Sequence, residues 1–361
     1  MFSDVYSKCR VLVTGHTGFK GSWLSYWLVK LGAEVSGISL APTSSPNHFQ
    51  LLNTEMKSLI ADIRDLSTVK KAILDFKPDI VFHLAAQALV GFSYRDPVST
   101  YSTNLIGTLN VFEACRDAGS VRAIVNITSD KCYENLEQIW GYRETDRMGG
   151  YDMYSSSKAC SEIMTNSYRS SFLNIEEFGV SHNTLLASAR AGNVIGGGDW
   201  ACDRLIPDLM KGASAGEIVV IRSPQSTRPW QHVLEPLSGY LLLGSELLKG
   251  NVSVGDAWNF GPSDAGNLSV QELVKIVKKY WTSFEYRCAI NRTFHEAKLL
   301  RLDCSKASHY LDWKPTWGIQ ETIQKTTDWY RLFYDDNHVN TDNDLKSYME
   351  DAKSRGAVWT T

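Results

Sequence analysis

A tyrosine and a lysine lie four residues apart in the segment Y-S-S-S-K, as Tyr154 and Lys158. On a helix this spacing places both side chains on one face. A phenol with a pKa of about 10 is a poor base at neutral pH, but a neighbouring ammonium group favours the phenolate. The pair therefore predicts general-base chemistry by Tyr154 with help from Lys158, although ordinary surface residues also show this spacing.

A second reactive segment is I-T-S-D-K-C-Y, in which Ser129, Asp130 and Lys131 follow an apolar run that ends near Ile127. If that run is a strand of a parallel sheet, the three side chains emerge at its carboxyl edge, where such sheets bind ligands. The segment predicts polar chemistry at this edge. An exposed ion pair between Asp130 and Lys131 is the alternative.

Three glycines near the amino terminus are spaced three by three in T-G-H-T-G-F-K-G, as Gly15, Gly18 and Gly21. They follow the apolar run at residues 10–14 and precede a segment with helical periodicity that begins at Phe19. Glycines permit a tight turn and let the backbone N–H groups of a helix start approach a pyrophosphate closely. This strand, turn and helix predict a dinucleotide site, whereas the glycines alone would also suit simple packing.

The elements that must position these residues follow from alternating apolar and helix-like segments. Strands are predicted over residues 10–14, 33–40, 79–86, 123–128 and 184–190, and helices over residues 19–31, 66–76, 104–118 and 151–168. Regular alternation of this kind indicates an α/β fold with a Rossmann-like, doubly wound parallel sheet.

The regular alternation ends after Ala191, where glycine, proline and tryptophan become more frequent. We therefore expect a dinucleotide-binding domain over residues 1–190 and mainly a smaller α/β substrate-binding lobe over residues 191–361. A segment near residues 230–262 is expected to return to the larger domain, with a strand at residues 257–260. The polar stretch 339–361 is expected to be loosely ordered.

Composition limits the possible function classes. The 361 residues carry a formal net charge of −3 and no long basic run, which argues against general nucleic-acid binding and against a membrane surface. The seven cysteines are scattered without a C-x-x-C pair, so we expect reduced thiols and no metal. Because no long apolar stretch occurs near the start, a cytoplasmic protein is expected.

The glycine spacing together with the Tyr-Lys pair resembles the extended short-chain dehydrogenase/reductase family, the NAD-dependent epimerases and dehydratases. In this family Asp62 matches the residue that contacts the adenine amino group, and Asn104 matches an asparagine that positions the helix of the Tyr-Lys pair. The cofactor contacts implied by the resemblance are Gly15, Gly18, Phe19, Gly21, Asp62, Ile63, Leu84, Ala85, Ala86, Gln87, Asn104, Tyr154 and Lys158.

The cofactor implied by the resemblance is NAD, and one feature of the sequence bears on that choice. The family often has an acidic residue after the second strand to hold the adenosine ribose, but this sequence has Gly37-Ile38-Ser39-Leu40 there. No arginine for a 2′-phosphate stands nearby either. NAD is favoured, and NADP stays open.

The family comparison also implies roles for the reactive segment. Ser129 resembles the residue that hydrogen-bonds the sugar hydroxyl being oxidised, and Asp130 resembles the acid that protonates a departing C6 hydroxyl. Lys131 stands where sugar-nucleotide 4,6-dehydratases usually have a glutamate base. The Asp-Lys pair resembles the CDP-glucose 4,6-dehydratases, and whether Lys131 acts as a base or as a cationic stabiliser stays open.

Further segments of the chain resemble the substrate-binding parts of these dehydratases. They are A-G-N-V-I-G-G-G-D-W after Arg190, then R-P-W-Q-H-V, and finally H-E-A-K-L-L-R-L-D-C-S-K. Planar guanidinium groups suit a diphosphate, and an ammonium adds a point charge. The substrate contacts expected from these segments are Asn193, Arg204, Arg228, Gln231, Lys298 and Arg301.

The resemblance therefore implies an NAD-dependent hydro-lyase that acts on CDP-glucose in deoxysugar biosynthesis for bacterial surface polysaccharide. Its product would be a 4-keto-6-deoxy sugar nucleotide, and the enzyme would be a homodimer or a higher homo-oligomer. An epimerase, or a dehydratase for another nucleotide sugar, shares most of the same motifs. A non-catalytic protein that binds dinucleotides is the alternative from another class.

Overall fold

The structure is a computed structural model that describes residues 1–202, 204–221, 223–288 and 299–361. The expected substrate contact Lys298 lies outside the described residues. The strands are β1 Arg10–Thr14, β2 Glu34–Ser39, β3 Lys57–Ile60, β4 Ile80–His83, β5 Ala123–Ile127, β6 Leu185–Ala191, β7 Val194–Ile195, β8 Ile218–Ile221, β9 Thr227–Pro229, β10 Gln231–His232, β11 Ala257–Phe260, β12 Asn267–Ser269 and β13 Glu285–Cys288.

Helices connect most of these strands, and a π-helical segment, Ser102–Gly107, runs directly into the sixth helix. The helices are α1 Phe19–Lys30, α2 His48–Leu52, α3 Leu66–Phe76, α4 Val90–Arg95, α5 Pro97–Tyr101, α6 Thr108–Ala118, α7 Met153–Phe172, α8 Leu205–Ala215, α9 Leu234–Leu248, α10 Val270–Tyr280, α11 Ser305–Tyr310, α12 Ile319–Asp336 and α13 Thr341–Ser354.

Seven parallel strands form the central sheet, in the order β11-β6-β5-β4-β1-β2-β3. Its middle strands are buried along their length, as expected for a sheet that is covered by helices on both faces. The predicted doubly wound parallel sheet is confirmed. The strand order reverses between β1 and β4, and ligands bind at the carboxyl edge of such a crossover.

Strand β3 was not predicted from the sequence. All four of its residues are exposed, and it forms the outer edge of the sheet beside β2. An edge strand that buries neither face carries no alternation of apolar and polar residues. Its sequence therefore lacks the pattern by which half-buried strands are predicted. Pairing with β2 through the backbone is what defines this strand.

The two faces of the sheet carry separate layers of core. One layer contains Trp23 and Trp27 of α1 together with the apolar side of α9. The other contains residues of α3, α6 and the end of α7, such as Ile73 and Phe112. Strand β11 pairs with β6 at the edge of the large sheet, so the chain returns to this sheet after leaving it.

A third core lies among α8, α10 and α12. The glycine run that follows β7 packs against this core. A Cβ atom at Gly197 would lie 2.0 Å from the ring of Trp329, and Gly198 has a φ of +88° and lies against His48. These glycines let the backbone approach two aromatic rings.

The expected loose order of the stretch 339–361 is wrong. Residues 341–354 form α13, which buries Leu345 and Tyr348. Trp359 stacks on Phe2 with ring centroids 5.3 Å apart. The polar composition of this stretch reflects the exposed face of α13, while Leu345, Tyr348 and Ala352 lie on its buried face.

None of the described helices is both long and apolar enough to cross a membrane. Within the described ranges, no group of three or more histidine, cysteine or acidic side chains is arranged to hold a metal ion.

Candidate active site

The glycine turn after β1 is packed so tightly that side chains cannot be accommodated. Gly15 has a φ of +77°, and a Cβ atom there would lie 2.8 Å from the backbone nitrogen of Ala85. A Cβ atom at Gly21 would lie 2.1 Å from the carbonyl oxygen of Gly15. Helix α1 begins at Phe19, and its N-cap residue Gly18 offers no capping side chain. The first N–H groups of α1 are therefore open to a phosphate, and this cradle fits a dinucleotide.

Asn104 connects the segment after β4 with the helix of the Tyr-Lys pair. Its side chain accepts a hydrogen bond from Gln87 N at 2.8 Å and donates to Gln87 O at 3.0 Å. It also donates to Ser157 Oγ at 2.9 Å, one residue before Lys158. Asn104 thus holds α7 against the segment 84–87, and its amide is fully used by the protein.

Asp62, expected at the adenine, is half-buried and forms an ion pair with Arg64 at 2.6 Å. The hydrogen bonds from Arg64 hold the pKa of Asp62 below its usual range. The neighbouring Ile63 is buried, and its side chain packs against Gly107. The carbonyl oxygen of Ile63 accepts a hydrogen bond from Asn110 Nδ2 at 3.0 Å.

At the end of β2, where the family often has an acidic residue, hydroxyl groups take its place. Thr17 Oγ1 lies 2.7 Å from Ser39 Oγ and donates to Leu40 O at 2.9 Å. This corner therefore offers hydroxyl groups to an adenosine ribose, and residues 37–40 carry neither a carboxylate nor a guanidinium.

Ser129 and Asp130 lie just beyond the carboxyl end of β5 and are both buried. Ser129 Oγ donates to Asp130 Oδ1 at 3.0 Å, whereas Asp130 Oδ2 has no hydrogen-bond partner in the described part of the chain. Burial raises the pKa of Asp130, although Lys131 and Arg228 oppose that shift. A buried carboxyl group with one free oxygen is suited to hold a proton for a ligand.

Tyr154 and Lys158 lie on the first turns of α7, and both are buried in the same pocket. Burial raises the pKa of Tyr154 to about 12, while the Ser129 side chain acts to lower it. Burial lowers the pKa of Lys158 to about 8, and its Nζ donates to Ile127 O at 3.4 Å. The structure thus brings Ser129, Asp130, Tyr154 and Lys158 together.

Two cations that face this pocket come from other elements. Arg204, directly before α8, pairs with Asp199 at 3.0 Å and lies close enough to lower the pKa of Tyr154. Lys20, inside the glycine turn, donates to Tyr240 Oη at 3.4 Å. Burial lowers the pKa of Lys20 to about 7, with Lys158 and Arg204 acting in the same direction. Sequence reasoning did not select Lys20, although a lysine within a dinucleotide turn was a visible signal.

The structure places only some of the other expected substrate contacts beside these residues. Arg228 is buried, and its charge acts on Asp130. Gln231 donates to Phe260 O at 3.0 Å and leaves its buried Oε1 without a partner among the described residues. Asn193 is partly buried in the loop before β7, and Arg301 pairs through its backbone with Tyr142. Lys131 is partly buried beside Asp130.

The parallel sheet, the glycine turn and the Tyr-Lys pair define a dinucleotide-binding protein of the extended short-chain dehydrogenase/reductase type. Residues 12–326 match the family described as GDP-mannose 4,6 dehydratase. The chain belongs to this family.

Several characterised proteins are similar along nearly the whole chain. The CDP-glucose 4,6-dehydratase of Salmonella typhimurium is 47% identical over 345 residues, which cover 94% of this chain and 96% of that protein. The UDP-glucose 4-epimerase of Thermus thermophilus, solved with NAD, is 26% identical with a TM-score of 0.76, covering 89% of this chain and 99% of that chain.

A dehydratase of known structure shares the fold at lower identity. The dTDP-glucose 4,6-dehydratase of Bacillus anthracis, in complex with NAD, is 19% identical with a TM-score of 0.72, covering 90% of this chain and 96% of that chain.

Proposed function

We propose that this chain is a hydro-lyase that converts CDP-D-glucose to CDP-4-keto-6-deoxy-D-glucose and water, with NAD as its cofactor. The observation that carries the proposal is the buried Asp130, with one free oxygen, beside Ser129 and the Tyr-Lys pair. A simple epimerase needs no acid for a leaving hydroxyl. The identity of 47% with a curated CDP-glucose 4,6-dehydratase supports the same reaction, in deoxysugar biosynthesis for surface polysaccharide.

Each residue of the site is assigned a role in this reaction. Ser129 holds the O4 hydroxyl, and Tyr154 accepts its proton while Lys158 stabilises the phenolate. NAD would be held at the glycine turn and would supply the hydride acceptor for C4 and the hydride donor for C6. The C4 ketone acidifies the C5 hydrogen, and Asp130 donates a proton to the departing C6 hydroxyl, so that water leaves across C5 and C6. A proton returns to C5 when C6 is reduced. Lys131 stands beside Asp130 and serves either to accept the C5 proton or to stabilise the enolate.

The nucleotide part of the substrate is assigned to the smaller lobe. Arg204, Arg228 and Arg301 offer guanidinium groups for the diphosphate, with Asn193, Gln231 and Lys298 as further contacts. Asp199 Oδ2 forms an ion pair with Arg204 Nη1 at 3.0 Å and so orients the guanidinium group. The other N–H groups of that guanidinium are left for a phosphate oxygen. The base preference for cytosine rests on the similarity to the Salmonella enzyme.

A direct assay tests this proposal. The purified protein is incubated with NAD and, separately, with the CDP, dTDP, GDP and UDP sugars, and each product is analysed by mass spectrometry. We expect the loss of one water from CDP-glucose alone. Loss of water from another sugar nucleotide would overturn the cytosine assignment, and no loss from any of them would favour an epimerase or a binding protein.

Substitution of the base separates an enzyme from a binding protein. We expect Tyr154→Phe to abolish turnover while NAD binding, measured by calorimetry, stays close to that of the unchanged chain. Because the phenyl ring keeps the packing of the buried tyrosine, the loss is specific to the hydroxyl. Unchanged turnover in this variant would contradict the assigned role of Tyr154.

We also propose that the enzyme is a homodimer and works in the cytoplasm. Exposed apolar side chains on neighbouring helices support the dimer, namely Val98 on α5, Ile106 before α6 and Met153, Ile163 and Phe172 on α7. All seven cysteines are free thiols, which suits a reducing compartment. Light scattering should report twice the monomer mass, and Ile163→Lys should reduce it to that of one chain.

A further inference from the structure

One carboxylate is buried directly behind the reacting groups. Glu162 lies on α7, four residues beyond Lys158 and eight beyond Tyr154, so all three project from the same side of the helix. Its side chain is 3% exposed. Burying a charge without a hydrogen-bonding or oppositely charged partner costs free energy, so the surroundings of Glu162 must stabilise its carboxylate.

The protein surrounds Glu162 with donors. Thr128 Oγ1 donates to one carboxylate oxygen, and Ser188 Oγ donates to the other at 2.7 Å. Arg190 Nη2 donates to that second oxygen at 2.8 Å in a buried ion pair. Although burial opposes ionisation, Arg190 and the hydroxyl donors hold the pKa of Glu162 below its usual range. Glu162 is therefore a fixed negative charge at neutral pH.

The same short piece of chain holds Glu162 and Lys158. Ile127 O accepts a hydrogen bond from Lys158 Nζ at 3.4 Å, and the next residue, Thr128, binds Glu162. Ser129 follows immediately. The carboxylate and the ammonium are thus fixed relative to each other and to the end of β5.

The other groups that face Lys158 explain why a carboxylate is needed there. Lys20 of α1 lies close enough for the charge of Lys158 to lower the pKa of Lys20, and His83 of β4 is buried and held neutral, its pKa lowered to about 3 by burial. The thiol of Cys132 also lies near. Burial lowers the pKa of Lys158 to about 8, and Glu162 is the leading influence against that decrease.

We propose that Glu162 is a positioning residue: its buried carboxylate, one helical turn beyond Lys158, supplies the negative charge that balances the ammonium group of Lys158 one turn from Tyr154. This inference deepens the proposed function, on which its activity test rests. Without that charge, Lys158 would lose its proton at lower pH, and a neutral amine cannot favour the phenolate of Tyr154.

The first test compares Glu162→Gln with Glu162→Asp. The basic limb of the pH profile of kcat/KM reports the loss of the Lys158 proton in the free enzyme. We expect this limb to move by roughly one to three units to lower pH in Glu162→Gln, the usual effect of an opposite charge at this distance. Glu162→Asp keeps the charge and should restore most of the original position.

A matched variant separates charge from packing. Thr128→Val removes one hydrogen bond to Glu162 but leaves the carboxylate and Arg190 in place. We expect the basic limb to stay within a few tenths of a unit of that of the unchanged chain. If Thr128→Val moved the limb as far as Glu162→Gln, the effect would belong to packing and the proposal would fail.

A second measurement needs neither substrate nor cofactor. Trace acetylation of lysines, read by mass spectrometry against pH, gives the pKa of Lys158 directly, with exposed Lys249 as the internal standard. We expect a lower midpoint for Lys158 in Glu162→Gln and no change for Lys249. If the single variant does not fold because Arg190 is left unpaired, the variant Glu162→Gln with Arg190→Gln replaces it.

The two measurements fail in different ways. If the unchanged chain dehydrates no sugar nucleotide, the proposed function is wrong, but the labelling midpoint still tests Glu162. An unmoved Lys158 midpoint in a folded Glu162→Gln variant overturns the inference and leaves the dehydratase untouched.

Discussion

Asp130 has the properties that an acid for the C6 hydroxyl needs. It is 2% exposed, its pKa is raised by burial, and its Oδ2 has no hydrogen-bond partner within the described residues. The neighbouring backbone is Gly192, where a Cβ atom would lie 3.1 Å from that oxygen. A side chain at residue 192 would therefore crowd Oδ2, and the glycine keeps this oxygen clear of a neighbouring side chain.

Replacing this acid should separate the steps of the reaction. We expect Asp130→Asn to reduce overall turnover of CDP-glucose by about 10² to 10⁴, the usual contribution of a general acid. Oxidation at C4 does not use Asp130, so reduced nicotinamide should accumulate and be visible by its near-ultraviolet absorbance. Asp117→Asn, at an exposed position of α6, serves as the control. Product formation at the original rate would contradict the role of Asp130.

The loop between β7 and α8 shows that a motif expected near the substrate also serves packing. The run Gly196, Gly197 and Gly198 resembles a loop that leads to the sugar pocket, yet Gly197 lies against the Trp329 ring of α12. Trp329 is fully buried in the core among α8, α10 and α12. The glycines therefore join this loop to α12, and the loop is placed by that contact.

A methyl group at this contact should be poorly tolerated. A Cβ atom at Gly197 would lie 2.0 Å from Trp329, so we expect Gly197→Ala to lower the free energy of unfolding by about 1–3 kcal/mol. Gly318→Ala is the control, because no atom lies within 4 Å of a Cβ atom at Gly318. Urea unfolding measures both variants. Equal stability of the two would show that Trp329 moves aside freely.

At the scale of the whole molecule, buried histidines join distant elements. His48 lies 2.7 Å from Ser22 Oγ of α1 and 2.8 Å from Thr341 Oγ1 of α13. Burial lowers the pKa of His48, His83 and His232 to about 3 in each case. The folded protein therefore holds these three rings neutral.

These histidines should make the fold sensitive to acid. The unfolded chain takes up protons near pH 6.5 while the folded chain does not, so their contribution is full above that pH and decreases as the pH falls towards 3. Each of these buried rings should lower the free energy of unfolding by about 1.4 kcal/mol for each pH unit below 6.5. Urea unfolding at pH 7 and pH 5 measures the decrease. We expect His48→Gln to lessen it and His309→Gln, at an exposed position, to leave it unchanged.

Much of the large domain could be predicted from the sequence because its signals are local. The strand at residues 10–14, the helix at 66–76 and the glycine turn each depend on neighbouring residues, and the structure has them at those places. Helices carry a 3.6-residue period and turns carry glycine, so short windows of sequence contain these elements. The exposed strand β3 lacks such a signal, and α13 carries it on only a few residues, Leu345, Tyr348 and Ala352.

The sequence by itself determined which residue types stand near one another along the chain, including Ser129 with Asp130 and Tyr154 with Lys158. Only the tertiary structure decided which charges meet from distant parts of the chain. Lys20, Arg204 and the Glu162–Arg190 pair reach the catalytic residues from four parts of the chain. Arg204 acts on the pKa of Tyr154, Glu162 acts on that of Lys158, and Lys158 acts on that of Lys20. Electrostatic interactions act through space, so the order of residues along the chain does not record them.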